Sequence, residues 1–205
     1  MPMLTVRNLR RPGLSVPALD VEGGKCVAIM GPSGAGKTLL LRAIADLDVN
    51  DGEVCAAGLE RLATPAPVWR RTVAYLPAES GWWAETVGDH FSDRSRAAAM
   101  LAALKLDPGA FDWPISRLST GEKQRLALAR LLAPEPPVLL LDEPTAALDA
   151  EATAAVEEIL KQRLGLGAAM LFVTHNQEQA RRLAAPIVRI ENGEFVESGA
   201  PRADV

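Results

Sequence analysis

The stretch Gly31-Pro-Ser-Gly-Ala-Gly36-Lys37-Thr38 constrains this chain more than any other feature. It follows the apolar run Cys26–Met30 and leads into Lys37–Leu47, which reads as a helix with one apolar face. A glycine-rich turn between a strand and a helix gathers backbone N–H groups around an anion, and the helix N-terminus adds a favourable dipole. The spacing G-x-x-x-x-G-K-[ST] assigns Lys37 to the β- and γ-phosphates of a nucleotide and the Thr38 hydroxyl to Mg²⁺. Gly31, Pro32, Ser33, Gly34, Ala35, Gly36, Lys37, Thr38 and Leu39 therefore form a candidate nucleotide-binding segment. An ordinary glycine-rich turn would leave Lys37 and Thr38 without a purpose.

The rest of the chain fits an α/β frame around that segment. Val138–Leu141 and Ala169–Val173 are further continuous apolar runs. Strands apolar on both faces, alternating with helices, predict a mainly parallel sheet covered by helices. Leu4–Leu9 alternates apolar and polar residues and reads as a half-buried strand. Gly52–Cys55 and Thr72–Leu76 read as short strands, and Ala63–Pro67 as loop. Helices are expected over Arg96–Leu106, Glu122–Ala133, Ala150–Arg163 and Gln177–Ala184. Ser119, three residues before Glu122, makes a capping-box arrangement. Asn192–Gly193 between Val188–Ile190 and Glu194–Val196 is a hairpin signal, and Gly199–Val205 reads as a loose tail.

A length of 205 residues suits one domain, 1–205. The net charge of −4 argues against a nucleic-acid-coating protein, so no direct nucleic-acid partner is expected. Cys26 and Cys55 lack metal-ligand spacing and read as small hydrophobes. Met1–Arg11 has no apolar core of the kind a signal peptide needs, and no run reaches the roughly 18 apolar residues of a membrane span. Action at a membrane would need a second polypeptide.

Two acids, Asp142 and Glu143, end the apolar strand Val138–Leu141. Carboxylates at such a place are costly unless they meet a cation or hydrogen-bond donors. Beside a phosphate cradle, Asp142 can hold Mg²⁺ through water and Glu143 can polarise the attacking water, the parts that phosphoryl transfer requires. His175 lies just past the apolar strand ending at Val173 and can contact a γ-phosphate.

Leu118-Ser119-Thr120-Gly121-Glu122-Lys123-Gln124-Arg125 resembles the signature motif of the ATP-binding cassette (ABC) ATPases, and Asp142 follows Ser119 by 23 residues, the family's spacing. Ala147-Leu148-Asp149 resembles the family's loop across the dimer interface, and Thr174–His175 its switch-histidine segment. The resemblance covers about residues 3–198. It implies a P-loop NTPase fold of the ABC type: a mainly parallel core sheet, an antiparallel β portion and a small helical subdomain at about 79–132. It implies a transport ATPase subunit using ATP and Mg²⁺ on the cytoplasmic side of the cell (inner) membrane. Two copies, or this chain and a paralogue, would stack head to tail with a separate transmembrane permease subunit. Lys37, Thr38, Asp142, Glu143 and His175 of one copy would face Ser119, Gly121 and Glu122 of the other. Two alternatives stay open: a soluble ABC-type ATPase acting on nucleic acid or ribosome complexes, and a nucleotide-gated interaction module with little turnover.

The chain departs from the family's pattern. Alignment on Tyr75–Pro77 puts Ala78 where the family has a magnesium-ligating glutamine, and Glu79 is the nearest substitute. No aromatic occupies Arg10–Leu14, where the family stacks on adenine, which leaves the guanidinium of Arg10 or Arg11 for that task. Asn176 replaces a common aspartate. The segment between position 78 and the signature is compact, as in simple two-component exporters, metal and iron exporters among them. Its Trp82–Trp83 pair is a candidate docking site for the membrane subunit, and Trp113 is expected to pack under the signature loop. His90 reads as structural or exposed, and Trp69–Arg71 as surface near a sheet edge.

Overall fold

A computed structural model describes residues 2–184 and 186–196; the tail expected over Gly199–Val205 lies outside them. Ten strands form one sheet in the order β5-β4-β1-β2-β10-β9-β3-β8-β7-β6. In its parallel half, β3 (Cys26–Met30), β8 (Ala169–Val173) and β7 (Val138–Asp142) are buried at every residue. The apolar runs are explained by a core on each face. Cys26, Ala28, Leu139, Leu141, Met170 and Phe172 meet one cluster, and Val27, Ile29, Leu140 and Leu171 meet the other. β6 (Val73–Leu76) is the edge strand, and β9 (Ile187–Glu191) pairs parallel with β3.

The first cluster takes in α3 (Arg94–Ala103), α4 (Thr120–Leu132), α5 (Ala150–Gly165) and α6 (Gln177–Leu183). The second takes in α1 (Lys37–Ile44) and the antiparallel strands β1 (Leu4–Arg11), β2 (Leu14–Val21) and β4 (Asp51–Ala56). β5 (Leu59–Glu60) closes that end, and β10 (Glu194–Val196) joins β9 in the hairpin that Asn192–Gly193 signals.

Several elements differ from the sequence reading. β2 contains Pro17, which reads as punctuation. The strand tolerates it because Pro17 is exposed and falls opposite Asn8, whose φ of 49° interrupts the regular ladder. The buried set shifts phase at the same place, from Leu14 and Val16 to Leu19 and Val21. α1 ends three residues early. Asp46 turns left-handed at φ 57°, and the Leu47 and Asp46 N–H groups donate back to Arg42 and Ala43, a Schellman closure. α3 is shifted towards the N-terminus, starting at an Asp93 cap and closing in the same way around Lys105.

A helix, α2 (Ala66–Thr72), begins inside the expected loop, with Pro67 in its first turn, where a missing N–H costs nothing. It carries Trp69 inward. That residue is 0% exposed rather than at the surface, and its indole N–H donates to the Ile44 carbonyl at 2.9 Å. Both cysteines are free; Cys26 is buried, which pushes its thiol up to about 12, and Cys55 is half-buried. Among the described residues, no helix is long and apolar enough to cross a membrane.

Candidate functional site: a phosphate cradle at the ends of three parallel strands

Because β3, β8 and β7 are neighbours and parallel, their C-terminal ends open on one side of the sheet. This brings the three motifs together. The loop after β3 holds Gly31–Gly36, the exit of β7 holds Asp142 and Glu143, and the exit of β8 holds Thr174 and His175. A cavity of about 380 Å³ between them is lined by Ser33, Gly34, Gly36, Lys37, Thr38, Leu39, Glu143 and His175.

Inside the loop, the Lys37 ammonium donates to the carbonyls of Gly31 at 2.9 Å and Pro32 at 2.8 Å. Three donors on a flexible stem let it exchange these carbonyls for phosphate oxygens. Gly31 is required because a Cβ there would overlap the Ile190 carbonyl oxygen. The Thr38 hydroxyl donates to Asp142 Oδ2 at 2.7 Å, and Asp142 is 3% exposed. A hydroxyl and a carboxylate this close are hard oxygen donors that suit Mg²⁺, which takes one or two protein oxygens and completes its shell with phosphate and water. Among the described residues, no group of three or more His, Cys, Asp or Glu side chains forms a dedicated metal cage.

Glu143 leaves β7 with φ 48°, a rare conformation for a non-glycine residue, while its N–H donates to the Val173 carbonyl. Its carboxylate lies 2.8 Å from His175 Nε2. Both side chains line the cavity, so both face the place a terminal phosphate would occupy. Asn176 caps α6, accepting the Gln179 N–H at 3.0 Å, so an amide serves where the family has an acid.

Ser119, Gly121 and Glu122 lie outside this cavity, at the start of α4. The capping box forms: Ser119 N–H donates to Glu122 Oε2 at 2.9 Å, and Glu122 N–H donates to Ser119 Oγ at 3.2 Å. The Ser119 N–H, followed by its hydroxyl, holds the Glu122 carboxyl below its ordinary value. Gly121 packs against the Ala147 carbonyl, where a Cβ would come within 3.2 Å of it.

Neither Ala78 nor Glu79 lines the phosphate cavity; they border a separate groove with Trp82, Thr120, Lys123, Gln124, Ala146 and Ala147. The edge strand instead offers Tyr75, whose hydroxyl donates to Asp142 Oδ2 at 3.4 Å. Burial, followed by the Asp142 charge, pushes this phenol above its usual range. Arg11 is committed elsewhere, to Asp48 at 2.5 Å, which Arg42 also grips through two bonds. Arg42 and then Arg11 hold that carboxyl well below the usual range. Arg10 is the exposed member of the pair.

The sequence reading missed Gln124. It is 8% exposed, donates to the Glu143 carbonyl at 2.8 Å and accepts the Ala147 N–H at 3.2 Å, stitching α4 to the β7 exit. Its position four residues before Leu128, on the buried face of α4, was the available signal. The Trp82–Trp83 pair is split: Trp82 packs against the core and Trp83 is 73% exposed. The Arg130 guanidinium lies 4.8 Å from each ring. His90 is buried, accepting the Trp83 and Ala84 N–H groups on Nε2 and bonding Thr86 O through Nδ1. Trp113 lies under the Arg117 guanidinium at 3.7 Å, just before the signature segment.

A glycine-rich phosphate loop between β3 and α1, with an acid pair at the exit of β7, a parallel strand separated from β3 by β8, defines a P-loop NTPase fold. The ABC transporter family model matches residues 14–146, and the chain belongs to that family. It is 36% identical over 201 residues to the sulfate/thiosulfate import ATP-binding protein CysA 2 of Agrobacterium fabrum (strain C58 / ATCC 33970), covering 90% of this chain and 58% of that protein. The chain thus spans less than two thirds of that relative's length. It is also 36% identical over 202 residues to the arginine transport ATP-binding protein ArtP of Escherichia coli (strain K12), covering 88% of this chain and 83% of that protein. Among solved structures, an ATP-binding subunit of an ABC transporter superposes with a TM-score of 0.88 at 25% identity, covering 97% of this chain and 90% of that one. A bacterial Atm1-family ABC exporter with ATP bound gives a TM-score of 0.83 at 25% identity, covering 97% of this chain and 38% of that one.

Proposed function

We propose that this chain binds and hydrolyses ATP as a subunit of a membrane transport system, pairing head to tail with a second copy or a paralogue around two ATP molecules. The observation that carries this reading is the cavity in which Lys37, Thr38, Glu143 and His175 converge while the signature segment stays outside. Such a chain holds half of a site at each of two places. Lys37 and the loop N–H groups bind the phosphates, and Thr38 with Asp142 holds Mg²⁺, which offsets phosphate charge. Glu143 orients the attacking water, and His175 fixes the Glu143 carboxylate and senses the γ-phosphate. Ser119, Gly121 and Glu122 close on the nucleotide of the other copy from the start of α4, where the dipole favours an anion.

A separate transmembrane permease supplies the path for cargo, and this chain sits peripherally on the cytoplasmic face of the membrane. The names of the relatives, which are import and transport ATP-binding proteins, support that assignment. The exposed Trp83 beside Arg130 offers the permease an aromatic anchor, a residue type favoured at interface centres.

Glu143→Gln keeps the size of the proposed base and removes its charge, so it should trap the ATP-bound closed pair. Capture of this variant with ATP and Mg²⁺ from gently solubilised membranes is expected to bring down a stoichiometric multi-span membrane protein. A closed pair without such a protein, under conditions that retain a known transporter, would overturn the transport assignment.

A further inference from the structure

Gln179 is a polar side chain buried to 2% exposure on α6, and it does not line the phosphate cavity. Its amide joins three elements. Oε1 accepts the hydroxyl of Thr174, the residue before His175, at 3.0 Å. Nε2 donates to the hydroxyl of Thr145, two residues after Glu143, at 2.9 Å. The same nitrogen donates to Glu157 Oε1 at 3.2 Å, on α5. Arg182 in turn grips Glu157 with two bonds, at 2.9 and 2.7 Å. One amide therefore ties the exit of β8 to the exit of β7 and anchors both to buried Glu157, which the more exposed Arg182 holds from outside.

Position 179 needs a donor and an acceptor together. A carboxylate could accept from Thr174 but would offer Glu157 no hydrogen and would place two acids side by side. An apolar side chain would leave the buried Thr174 hydroxyl, the half-buried Thr145 hydroxyl and one carboxylate oxygen without this partner. Buried polar networks hold their geometry rigidly when every member is satisfied. The 2.8 Å contact between Glu143 and His175 spans the two strand exits that this amide joins. We infer that Gln179 is a positioning residue for hydrolysis: through Thr174 and Thr145 it sets the separation of His175 and Glu143, without touching nucleotide. This rests on the proposed roles of those two residues.

The test compares basal hydrolysis and direct ATP binding in the full chain for Gln179→Glu, Gln179→Glu/Glu157→Gln and Glu143→Gln, with cooperative melting as the fold criterion. Misplacing reacting groups by about 1 Å can cost roughly 100-fold, so Gln179→Glu is expected to lower kcat by about tenfold or more while ATP affinity changes less than about twofold. The double variant restores one acid and one amide across the same gap and should recover most of kcat. Unchanged kcat in folded Gln179→Glu, equal losses in kcat and affinity, or failure of the double variant to recover would each overturn the inference. If Gln179→Glu does not melt cooperatively, the same split is read in Thr145→Val, which removes the Thr145 arm. A loss of kcat alone supports the inference, and no loss overturns it. Glu143→Gln separates the two levels: normal turnover there removes the base assignment and this inference with it. A dead Glu143→Gln beside a fully active Gln179→Glu removes the inference alone.

Discussion

The two halves of the sheet divide the work differently. In the parallel half, β3, β7 and β8 are buried throughout, and their polar chemistry waits until the chain leaves the sheet, at Gly31, Asp142 and Thr174. In the antiparallel half, β1, β2 and β4 mix buried with half-buried and exposed residues and contribute no side chain to the phosphate cavity. That half instead braces the phosphate loop from behind. Gly193 N–H, at the tip of the β9–β10 hairpin, donates to the Ala35 carbonyl at 3.0 Å, and Ser15 N–H donates to Gly193 O at 2.7 Å. On the proposed roles, the parallel strands aim the reacting groups, and the antiparallel strands fix the shape of the loop that would receive the phosphates. Substitutions in the first set should change binding or turnover with little change in stability, and those in the second should change both.

Lys37→Ala should give the largest separation. The ammonium would make charge-assisted hydrogen bonds to phosphate, each worth about 1.5–3 kcal/mol, or roughly 10- to 100-fold in affinity. Equilibrium binding of ATP with Mg²⁺ is expected to weaken by about 100-fold while the melting temperature moves little. Collapse of the fold would show that the two bonds to Gly31 and Pro32 carry structure, and would break the division between the halves.

Gly193→Ala comes next and tests the other half. Gly193 has φ 81°, and a Cβ there would overlap the Gly13 carbonyl in the β1–β2 turn. Strained positions of this kind cost about 1–3 kcal/mol. Denaturant unfolding should show a loss of about that size, and ATP affinity should fall with it, because the same N–H holds Ala35. Lost stability with unchanged affinity would mean that the hairpin braces the sheet and leaves the loop to itself.

The same division explains what could be read from the sequence. A strand buried on both faces must be apolar at every position, so β3, β7 and β8 were visible as runs. The phosphate loop and the Ser119–Glu122 cap are local in sequence and need no partner to be recognised. β2 was hidden because its alternation slips by one at Pro17, a slip that makes sense only beside Asn8 of β1. α2 was hidden by Pro65 and Pro67, which mark turns unless Trp69 has the Ile44 carbonyl to reach. Gln124 and Gln179 are polar residues within helices, and only the packed structure supplies the carbonyl, hydroxyl and carboxylate partners that make them matter.

Trp69→Phe sharpens the contrast from the stability side. The change leaves the Ile44 carbonyl unpaired and thins the packing between α2 and α1. An unsatisfied buried group costs about 1–3 kcal/mol, and the smaller ring puts the expectation near 2 kcal/mol in urea unfolding. ATP affinity should hold, since Trp69 lies at the far end of α1 from the phosphate loop. A parallel fall in affinity would mean that α1 transmits disturbance along its length.

Tyr75→Phe should give the smallest effect and bears on the missing glutamine. Ala78 offers no ligand, and the nearest side chain of β6 to the proposed metal-holding pair, Thr38 and Asp142, is Tyr75, 3.4 Å from Asp142 Oδ2. That oxygen also accepts from Thr38, so the phenol helps decide which way the carboxylate presents its second oxygen. At 3.4 Å the bond is long, and losing it should cost no more than about 1 kcal/mol, or roughly a fivefold change. The expected result is a rise of a fewfold in the Mg²⁺ concentration needed for half-maximal ATP binding, with metal-free nucleotide binding unchanged. Coincident Mg²⁺ titrations for the two proteins would show that Thr38 alone orients Asp142 and that the edge strand contributes nothing to the metal end of the site.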